Sequence, residues 1–237
     1  SAVAPPPPQA LALERGKARA EMAAASEAHL ALGAATMAKL EARLAATKAL
    51  AATTRRLVLV TTGALNPVHL AHVAMFDVAR RHLERAANAT VVFGLLSPSH
   101  DEYVVSKMAR MGMPAASGAH RVSMVRVAVR GVAWLDASAY EAVYSRRFTN
   151  FDEVVEWHAS RLFGAGGCFA REHGDVRVLY LCGADHARRC GLHRMRGLPC
   201  VTVGRAGADT DALRAARDRW HDNFYLAVDD ADDDGVT

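Results

Sequence analysis

From Arg56 onward, two hydrophobic patterns alternate along the chain. Six short apolar runs predict buried β-strands, at residues 57–62, 90–97, 133–137, 176–184, 198–204 and 223–228. Between them, apolar residues recur every three or four positions and predict helices, at residues 69–85, 120–131 and 150–163. Strands that alternate with helices favour a parallel sheet with helices on both faces, so the pattern predicts an α/β fold.

Residues 1–55 differ from this pattern and are predicted to form an N-terminal extension to a single domain over residues 56–237. The extension opens with "APPPP" and continues with an alanine-rich stretch, Gln9 to about Thr53, which favours a helix. A thin apolar stripe follows that helix, at Leu30, Met37, Leu40 and Leu44. The stripe fits a weak self-association or docking helix, which makes a homo-oligomer possible, or equally a partly helical extension without chemistry.

The charge of the chain is unevenly distributed. The net charge is +4, and the segment 229–237 contains five aspartates and no basic residue, which leaves +9 on residues 1–228. This basic excess suits an anionic partner. Aromatic residues make up only 6% of the chain and Lys and Arg form no dense cluster, so we expect phosphorylated small molecules rather than nucleic acid.

The sequence disfavours a membrane protein and a protein held together by disulfide bonds. No run of about 18 uncharged apolar residues is present, so we expect no membrane span. The four cysteines, Cys168, Cys182, Cys190 and Cys200, form no CxxC pair. They are typical of reduced thiols in an intracellular protein, of the cytoplasm or the nucleus. Cys190 and His193 lack a second pair of ligands, so we expect no protein-held metal.

The stretch "TTGALNPVHLAHV", residues 61–73, has features of a phosphate-binding turn. Gly63 ends the first strand and lets a ligand approach the backbone closely. The helix expected after Pro67 presents free N–H groups to an anion. His69 and His72 lie three positions apart, on one face of its first turn, and can donate hydrogen bonds to phosphate oxygens. The alternatives are two surface histidines without a role or a zinc site, although the i, i+4 spacing and glutamate of a metalloprotease helix are missing.

Polar segments follow three of the predicted strands. "TTGALNP", "SPSHDEY" and "CGADH" all come at carboxyl ends of strands, and in a parallel α/β sheet ligands bind beyond those ends. The order of elements therefore predicts a Rossmann-like sheet whose unusual residues gather at one edge.

At these residues the chain resembles the nicotinamide mononucleotide adenylyltransferases, a family within the HxGH-type nucleotidyltransferase superfamily. "GALNPVHLAH" is similar to the family signature "G[ST]FNPxHxxH". Further blocks in the same order are "GLLSPSHDEY", "HRVSM", "LCGAD" and "LPCVTVGRAG". The resemblance covers about residues 57–228. It implies transfer of the adenylyl group of ATP to nicotinamide or nicotinate mononucleotide, which gives NAD or its deamido form and pyrophosphate.

The resemblance also implies roles for the matching residues on the ATP side. His72 matches the catalytic histidine that contacts the ATP phosphates, and His69 falls where family members have His or Thr. Gly183 and Asp185 match the pair that meets the adenosine ribose. An aspartate at this position could instead cap the following helix. Mg²⁺ is expected to accompany ATP, held by phosphates and water, with no metal site built from protein side chains.

The mononucleotide side departs further from the family pattern. Gly63 and Ala64 match a turn whose backbone touches the nucleotide phosphate and amide, and Leu65 replaces the family's phenylalanine. Lys107 lies near the position of a family lysine that reaches phosphate, although the alignment with the family leaves the exact match open. Where the family has a stacking tryptophan, this chain has Phe148, with Thr149 or Asn150 for the amide. Leu192 or His193 stands near a second family tryptophan.

A further family block, "SSTxxR", has no counterpart up to Thr237, so we expect a missing C-terminal ATP-binding element and, without it, weakened turnover. Two rival functions remain. One is another adenylyl- or cytidylyltransferase of the superfamily, which would act on pantetheine phosphate or a CTP-linked substrate. The other is a non-catalytic nucleotide-binding scaffold that docks through the N-terminal helix.

Overall fold

The computed structural model describes residues 22–195, 197–204, 211–219 and 224–228. Its centre is a six-stranded, fully parallel sheet with the strand order β3-β2-β1-β4-β5-β6. The strands are Arg55–Gly63 (β1), Ala89–Pro98 (β2), Leu135–Ala137 (β3), Arg177–Gly183 (β4), Cys200–Gly204 (β5) and Phe224–Val228 (β6). The predicted Rossmann-like α/β fold is thereby confirmed.

Helices cover the sheet. In the described part of the chain they are 22–32 (α1), Ala34–Ala46 (α2), Leu70–Ala86 (α3), Asp101–Arg110 (α4), Gly118–Ala128 (α5), Phe151–Leu162 (α6), Ala170–His173 (α7), Ala184–Arg189 (α8) and Asp211–Arg219 (α9). Shorter turns of 3₁₀-helix occupy Lys48–Ala52 and Leu192–Arg194, and a π-helical turn spans Tyr140–Tyr144.

Each face of the sheet has its own hydrophobic cluster, because side chains alternate between the faces along every strand. Val58 and Val60 of β1 pack with apolar residues of α1, α2, α6, α8 and α9. Leu57 and Leu59 face the other way and pack against α3 and α5. The sheet is thus the middle of three layers, which explains why its strands have nearly uninterrupted apolar sequences.

The N-terminal helices form part of the first cluster. Leu32, Leu40 and Leu44 have no solvent exposure, and they pack with residues of β1, β2 and β4. The Nε of Arg43 also donates a hydrogen bond to the carbonyl oxygen of Val92 in β2, at 3.2 Å. Of the apolar stripe noted in the sequence, only Leu30 faces solvent, with 60% exposure.

All six predicted strands and the three predicted helices of the domain are present, with ends that differ by up to three residues. The predicted N-terminal helix is divided at Gly33, whose φ of 81° is left-handed. Helices α4, α7, α8 and α9 were not predicted. The part of the extension before residue 22 and the acidic segment 229–237 lie outside the described residues. In the described part of the chain, we find no helix with the length and hydropathy needed to span a bilayer.

The strand order creates a topological switch point between β1 and β4. The chain proceeds from β1 outward to β2 and β3, and then crosses back to place β4 on the other side of β1. The connections after β1 and β4 therefore diverge, which opens a crevice at the carboxyl ends of these two strands. Gly63 ends β1 and Gly183 ends β4 at this edge.

Candidate functional site

Two adjoining cavities occupy the crevice at the switch point. The first has a volume of about 320 Å³ and the second about 480 Å³. Their common wall consists of Thr62 at the end of β1, Tyr180 in β4, and His186 and Arg189 of α8. A Cβ atom added at Gly63 or Gly183 would meet no other atom within 4 Å, so both strand ends are open to a ligand.

The first cavity brings together His69, His72, Gly183 and Asp185, the four residues that the sequence analysis placed around ATP. His69 is the N-cap residue of α3, and His72 lies in its first turn. Their rings are close, with centroids 3.7 Å apart. The backbone N–H of His69 donates to Nδ1 of His72 at 3.2 Å. Because Nδ1 accepts, the proton of a neutral His72 ring lies on Nε2, which is then a hydrogen-bond donor.

The environment of His72 keeps its ring uncharged. Burial, followed by the neighbouring His69 and Lys107, lowers the pKa of His72 to about 4. His72 is therefore neutral at pH 7, and it can offer a phosphate a directed hydrogen bond but no positive charge.

The second cavity contains Gly63, Ala64, Lys107, Phe148, Thr149 and Asn150, all of which the sequence analysis placed around the mononucleotide. The Phe148 ring stacks on Tyr103 of α4, with centroids 5.2 Å apart. The backbone N–H of Phe148 donates to Glu102 at 3.3 Å, so α4 positions the loop that carries Phe148. Lys107 lies one turn after Tyr103, with its Nζ 5.8 Å from the Tyr103 ring centroid.

Two predicted site residues lie elsewhere. The side chain of Leu65 is 3% exposed and packs in the cluster with α3 and α5, while its backbone adopts a left-handed φ of 44°. Leu192 is 1% exposed and packs in the opposite cluster. Neither residue lines the two cavities. The 3₁₀ turn Leu192–Arg194 directs Leu192 into the core, where a leucine side chain loses its contact with water.

The turn after β1 is held by two polar side chains. Arg121 of α5 is fully buried and donates to the carbonyl oxygens of Ala64, at 2.9 Å, and Ser99, at 2.7 Å, and to the carboxylate of Asp101, at 2.6 Å. Asn66 donates to the carbonyl oxygen of Pro114 at 2.9 Å. The ends of β1 and β2 and the start of α4 are thus joined by one guanidinium.

A buried carboxyl lies beneath the common wall of the cavities. Glu141, on the π-helical turn, has no solvent exposure, and it accepts a hydrogen bond from the hydroxyl of Thr62. The other oxygen of Glu141, Oε2, has no hydrogen-bond partner in the described part of the chain. Burial raises the pKa of Glu141 to about 8, so the carboxyl is mostly protonated at neutral pH.

We expect Glu141→Gln to remove a pH-dependent loss of stability. The pKa of a glutamate is ordinarily 4.5, so between that pH and about 8 the unfolded chain is ionised while the folded chain keeps the proton. Unfolding then releases a proton, and the wild-type free energy of unfolding falls as pH rises through this range. Urea unfolding measured from pH 5 to 8 should show that the free energy of unfolding of the variant rises relative to that of the wild type. A constant difference between the two would contradict the buried, protonated carboxyl.

Several lining residues were missed by the sequence analysis: Thr62, Tyr103, Arg110, Tyr180, His186 and Arg189. A signal for some of them was present. Tyr103, Lys107 and Arg110 have the spacing of one helical face. His186 follows Asp185 directly, and Arg189 lies four positions after Asp185. Tyr180 and His186 are joined by a hydrogen bond of 3.0 Å between Oη and Nε2. This contact depends on the orientation of α8, which the sequence pattern does not give.

Within the described residues, no group of three or more His, Cys, Asp and Glu side chains is arranged to hold a metal ion. Asp185 is the acidic residue that lines the first cavity. The donor set suits a cation that is already held by phosphate oxygens and water better than one held by a protein cage.

Comparison with known proteins finds partial similarity to one group of enzymes. No protein-family model matches the chain. Nicotinamide/nicotinic acid mononucleotide adenylyltransferase 2 of Xenopus tropicalis is 29% identical over 116 residues, which are 49% of this chain and 35% of that protein. The corresponding enzyme of Schizosaccharomyces pombe is 28% identical over 179 residues, 68% of this chain and 46% of the relative.

A third relative, nicotinamide-nucleotide adenylyltransferase of Drosophila melanogaster, is 29% identical over 103 residues, 44% of this chain and 24% of the relative. The chain thus spans less than half the length of each of these curated relatives. The chain is similar, over part of its length, to nicotinamide mononucleotide adenylyltransferases.

Proposed function

We propose that the protein transfers the adenylyl group of ATP to nicotinamide or nicotinate mononucleotide, with release of pyrophosphate, as a step of NAD biosynthesis. The observation that carries the proposal is the pair of adjoining cavities at the switch point. One contains the residues that match the ATP-binding positions of the family, and the other contains those that match the mononucleotide-binding positions. The named relatives, all adenylyltransferases of this type, support the same reaction.

In this proposal the residues act by positioning and by hydrogen bonding. Asp185 accepts hydrogen bonds from the ribose hydroxyls of ATP, and the Nε2–H of His72 donates to the phosphate that is attacked. The open backbone at Gly63 lets the mononucleotide phosphate approach the α-phosphorus from the second cavity. Phe148 offers a ring face to the pyridine. Two reactants held in line in this way need no covalent link to the protein.

A magnesium ion would be brought by ATP. The phosphate oxygens of ATP and water would supply the ligands of the ion. The ion would neutralise part of the phosphate charge when bound.

The experiment that tests the function is an assay of dinucleotide formation. The purified chain is incubated with ATP, Mg²⁺ and, in parallel, nicotinamide mononucleotide, nicotinate mononucleotide and pantetheine phosphate, and the products are separated by chromatography. A second set replaces ATP with CTP. We expect a dinucleotide from ATP and a pyridine mononucleotide. Product from pantetheine phosphate or CTP instead would favour the rival transferase. Calorimetric heat on addition of ATP, without product from any acceptor, would favour the nucleotide-binding scaffold.

Asp185→Ala is expected to raise the Michaelis constant for ATP about tenfold, since hydrogen bonds to a charged group contribute roughly 1.5–3 kcal/mol. The constant for the mononucleotide should change much less, because Asp185 lines the first cavity and not the second. Steady-state kinetics with each substrate varied in turn measures both constants. Asp185→Asn keeps the shape and one acceptor oxygen, so its effect should be smaller. An unchanged ATP constant in the alanine variant would remove Asp185 from the ATP site.

A further inference from the structure

His72 does not supply the positive charge that a polyphosphate requires. His72 is uncharged at neutral pH because its pKa is lowered to about 4. A nucleoside triphosphate carries several negative charges, and charge-assisted hydrogen bonds from a cation are about twice as strong as neutral ones. Lysine or arginine side chains would therefore strengthen the binding of the phosphates at this site.

Basic side chains surround the crevice. Lys107 and Arg110 line the second cavity. Arg188 and Arg194 line a third cavity of about 520 Å³, which also borders Asp185. Among the described residues, Arg189 is the one that lines all three cavities. The Arg189 side chain thus borders the space through which a chain of phosphates passing between these cavities would run.

Arg189 is also available for a ligand. Elsewhere in the structure, Arg56, Arg121 and Arg147 are paired with carboxylates. Arg189 is exposed, and it has no hydrogen bond or ion pair with the residues that the structure describes. Burial lowers the pKa of His186 in the common wall, and the charges of Arg189 and Lys107 lower it further, so the positive field of both side chains reaches into the crevice.

The position of Arg189 on its helix relates it to the ribose site. Asp185 and Arg189 lie four residues apart on α8, and side chains at this spacing are neighbours on one helical face. Both line the first and the third cavities. A ligand whose ribose meets Asp185 would therefore have its phosphates within reach of Arg189.

We propose that Arg189 is a catalytic residue that binds the phosphates of the triphosphate substrate that leave as pyrophosphate. This assignment rests on the proposed function. An oxygen of the mononucleotide phosphate forms a bond to the α-phosphorus, and the bond from that phosphorus to the bridging oxygen of the β-phosphate breaks. The bridging oxygen takes the electron pair and departs within pyrophosphate. The guanidinium donates two hydrogen bonds to the oxygens on which this charge accumulates.

The first test measures binding of inorganic pyrophosphate by calorimetry, which needs no turnover. Arg189→Gln should weaken pyrophosphate binding about tenfold or more, since bidentate arginine–phosphate pairs are among the strongest hydrogen bonds. Arg189→Lys keeps the charge without the planar guanidinium, so its affinity for pyrophosphate should lie between those of the wild type and Arg189→Gln. Arg130→Gln is the matched control, because Arg130 is an exposed arginine near the entry to β3, at the opposite edge of the sheet. Its affinity should stay near the wild-type value.

The second test separates the phosphates that Arg189 contacts. Arg189→Gln should leave the affinity for AMP nearly unchanged while it weakens ATP binding, because AMP lacks the two phosphates that leave. The variant should also lower kcat about tenfold or more, since the contact strengthens as charge develops on the leaving group. Because Arg189 is exposed, thermal unfolding should not change.

The outcomes distinguish this assignment from the function on which it rests. Equal pyrophosphate affinity in Arg189→Gln and wild type, or equal losses for AMP and ATP, would overturn the role of Arg189. A wild-type chain that binds no pyrophosphate would overturn that role as well. If pyrophosphate binding depends on Arg189 but no dinucleotide forms with any acceptor, the anion contact stands and the proposed transferase reaction fails.

Discussion

Replacing His72 by alanine is expected to lower the rate of dinucleotide formation by about a hundredfold or more, as does the loss of a hydrogen-bond donor aimed at developing charge in other enzymes. The physical reason is the fixed tautomer, in which the His69 backbone N–H occupies Nδ1 and leaves Nε2–H as the donor. The rate constant kcat is measured by chromatography of products at saturating substrates. Circular dichroism should show an unchanged fold, because the His72 ring lies at the cavity surface.

The control for this experiment is His120→Ala, which changes an exposed histidine of α5 that lines neither cavity. Its rate should match the wild type. The pH profile adds an independent check. With a His72 pKa of about 4, the wild-type rate should show no loss from protonation of this ring between about pH 6 and 8. Near-normal turnover in His72→Ala would remove the residue from the mechanism.

Replacing Arg121 by methionine is expected to destabilise the protein by about 3 kcal/mol, the low end of the range for breaking a buried ion pair. The low end applies because the partner, Asp101, is 45% exposed and keeps part of its hydration. Most of the loss comes from the carbonyl oxygens of Ala64, Ser99 and Ala116, which lose their donor. For a chain of this length, the melting temperature should fall by roughly 6–12 °C, which differential scanning calorimetry measures.

Arg121→Lys keeps the charge but cannot reach all four acceptors, so it should melt between the wild type and the methionine variant. Arg130→Met serves as the control for loss of an exposed arginine and should melt close to the wild type. Activity should fall in both Arg121 variants at temperatures where they are still folded, because the guanidinium fixes the turn at Ala64. A melting temperature of Arg121→Met equal to that of the wild type would show that the network contributes no stability.

The strands could be predicted because each is buried on both faces and so has a continuous apolar sequence. Helix α4 escaped the same reasoning. Only Val104 and Met108 of its ten residues are buried, and a stripe of two apolar side chains is too thin to mark a helix. Helix α8 has six residues, two of them buried alanines. Elements of this kind are fixed by tertiary contacts, which local pattern does not contain.

Some residues of the candidate site could likewise be predicted from the sequence, and others could not. His72 and Asp185 stand in sequence motifs beside strand ends, so order alone places them in the crevice. Arg189 and Glu141 have no such motif. Arg189 reaches the crevice because α8 turns one face toward it, and the importance of Glu141 follows from a burial that only the folded chain shows. Leu192 was predicted to lie near the pyridine from its distance along the sequence, but its side chain packs in the core.

The packing of α1 and α2 has a practical consequence for work with shortened chains. A version that starts at residue 55 would expose Val92, Phe93 and Leu95 to solvent, because these residues share a hydrophobic cluster with Leu32, Leu40 and Leu44. Newly wetted apolar surface of this size promotes aggregation. Expression trials should therefore retain residues 22–46. Insolubility of a shorter version would result from the loss of the buried leucines of α1 and α2, and it would say nothing about the residues of the candidate site.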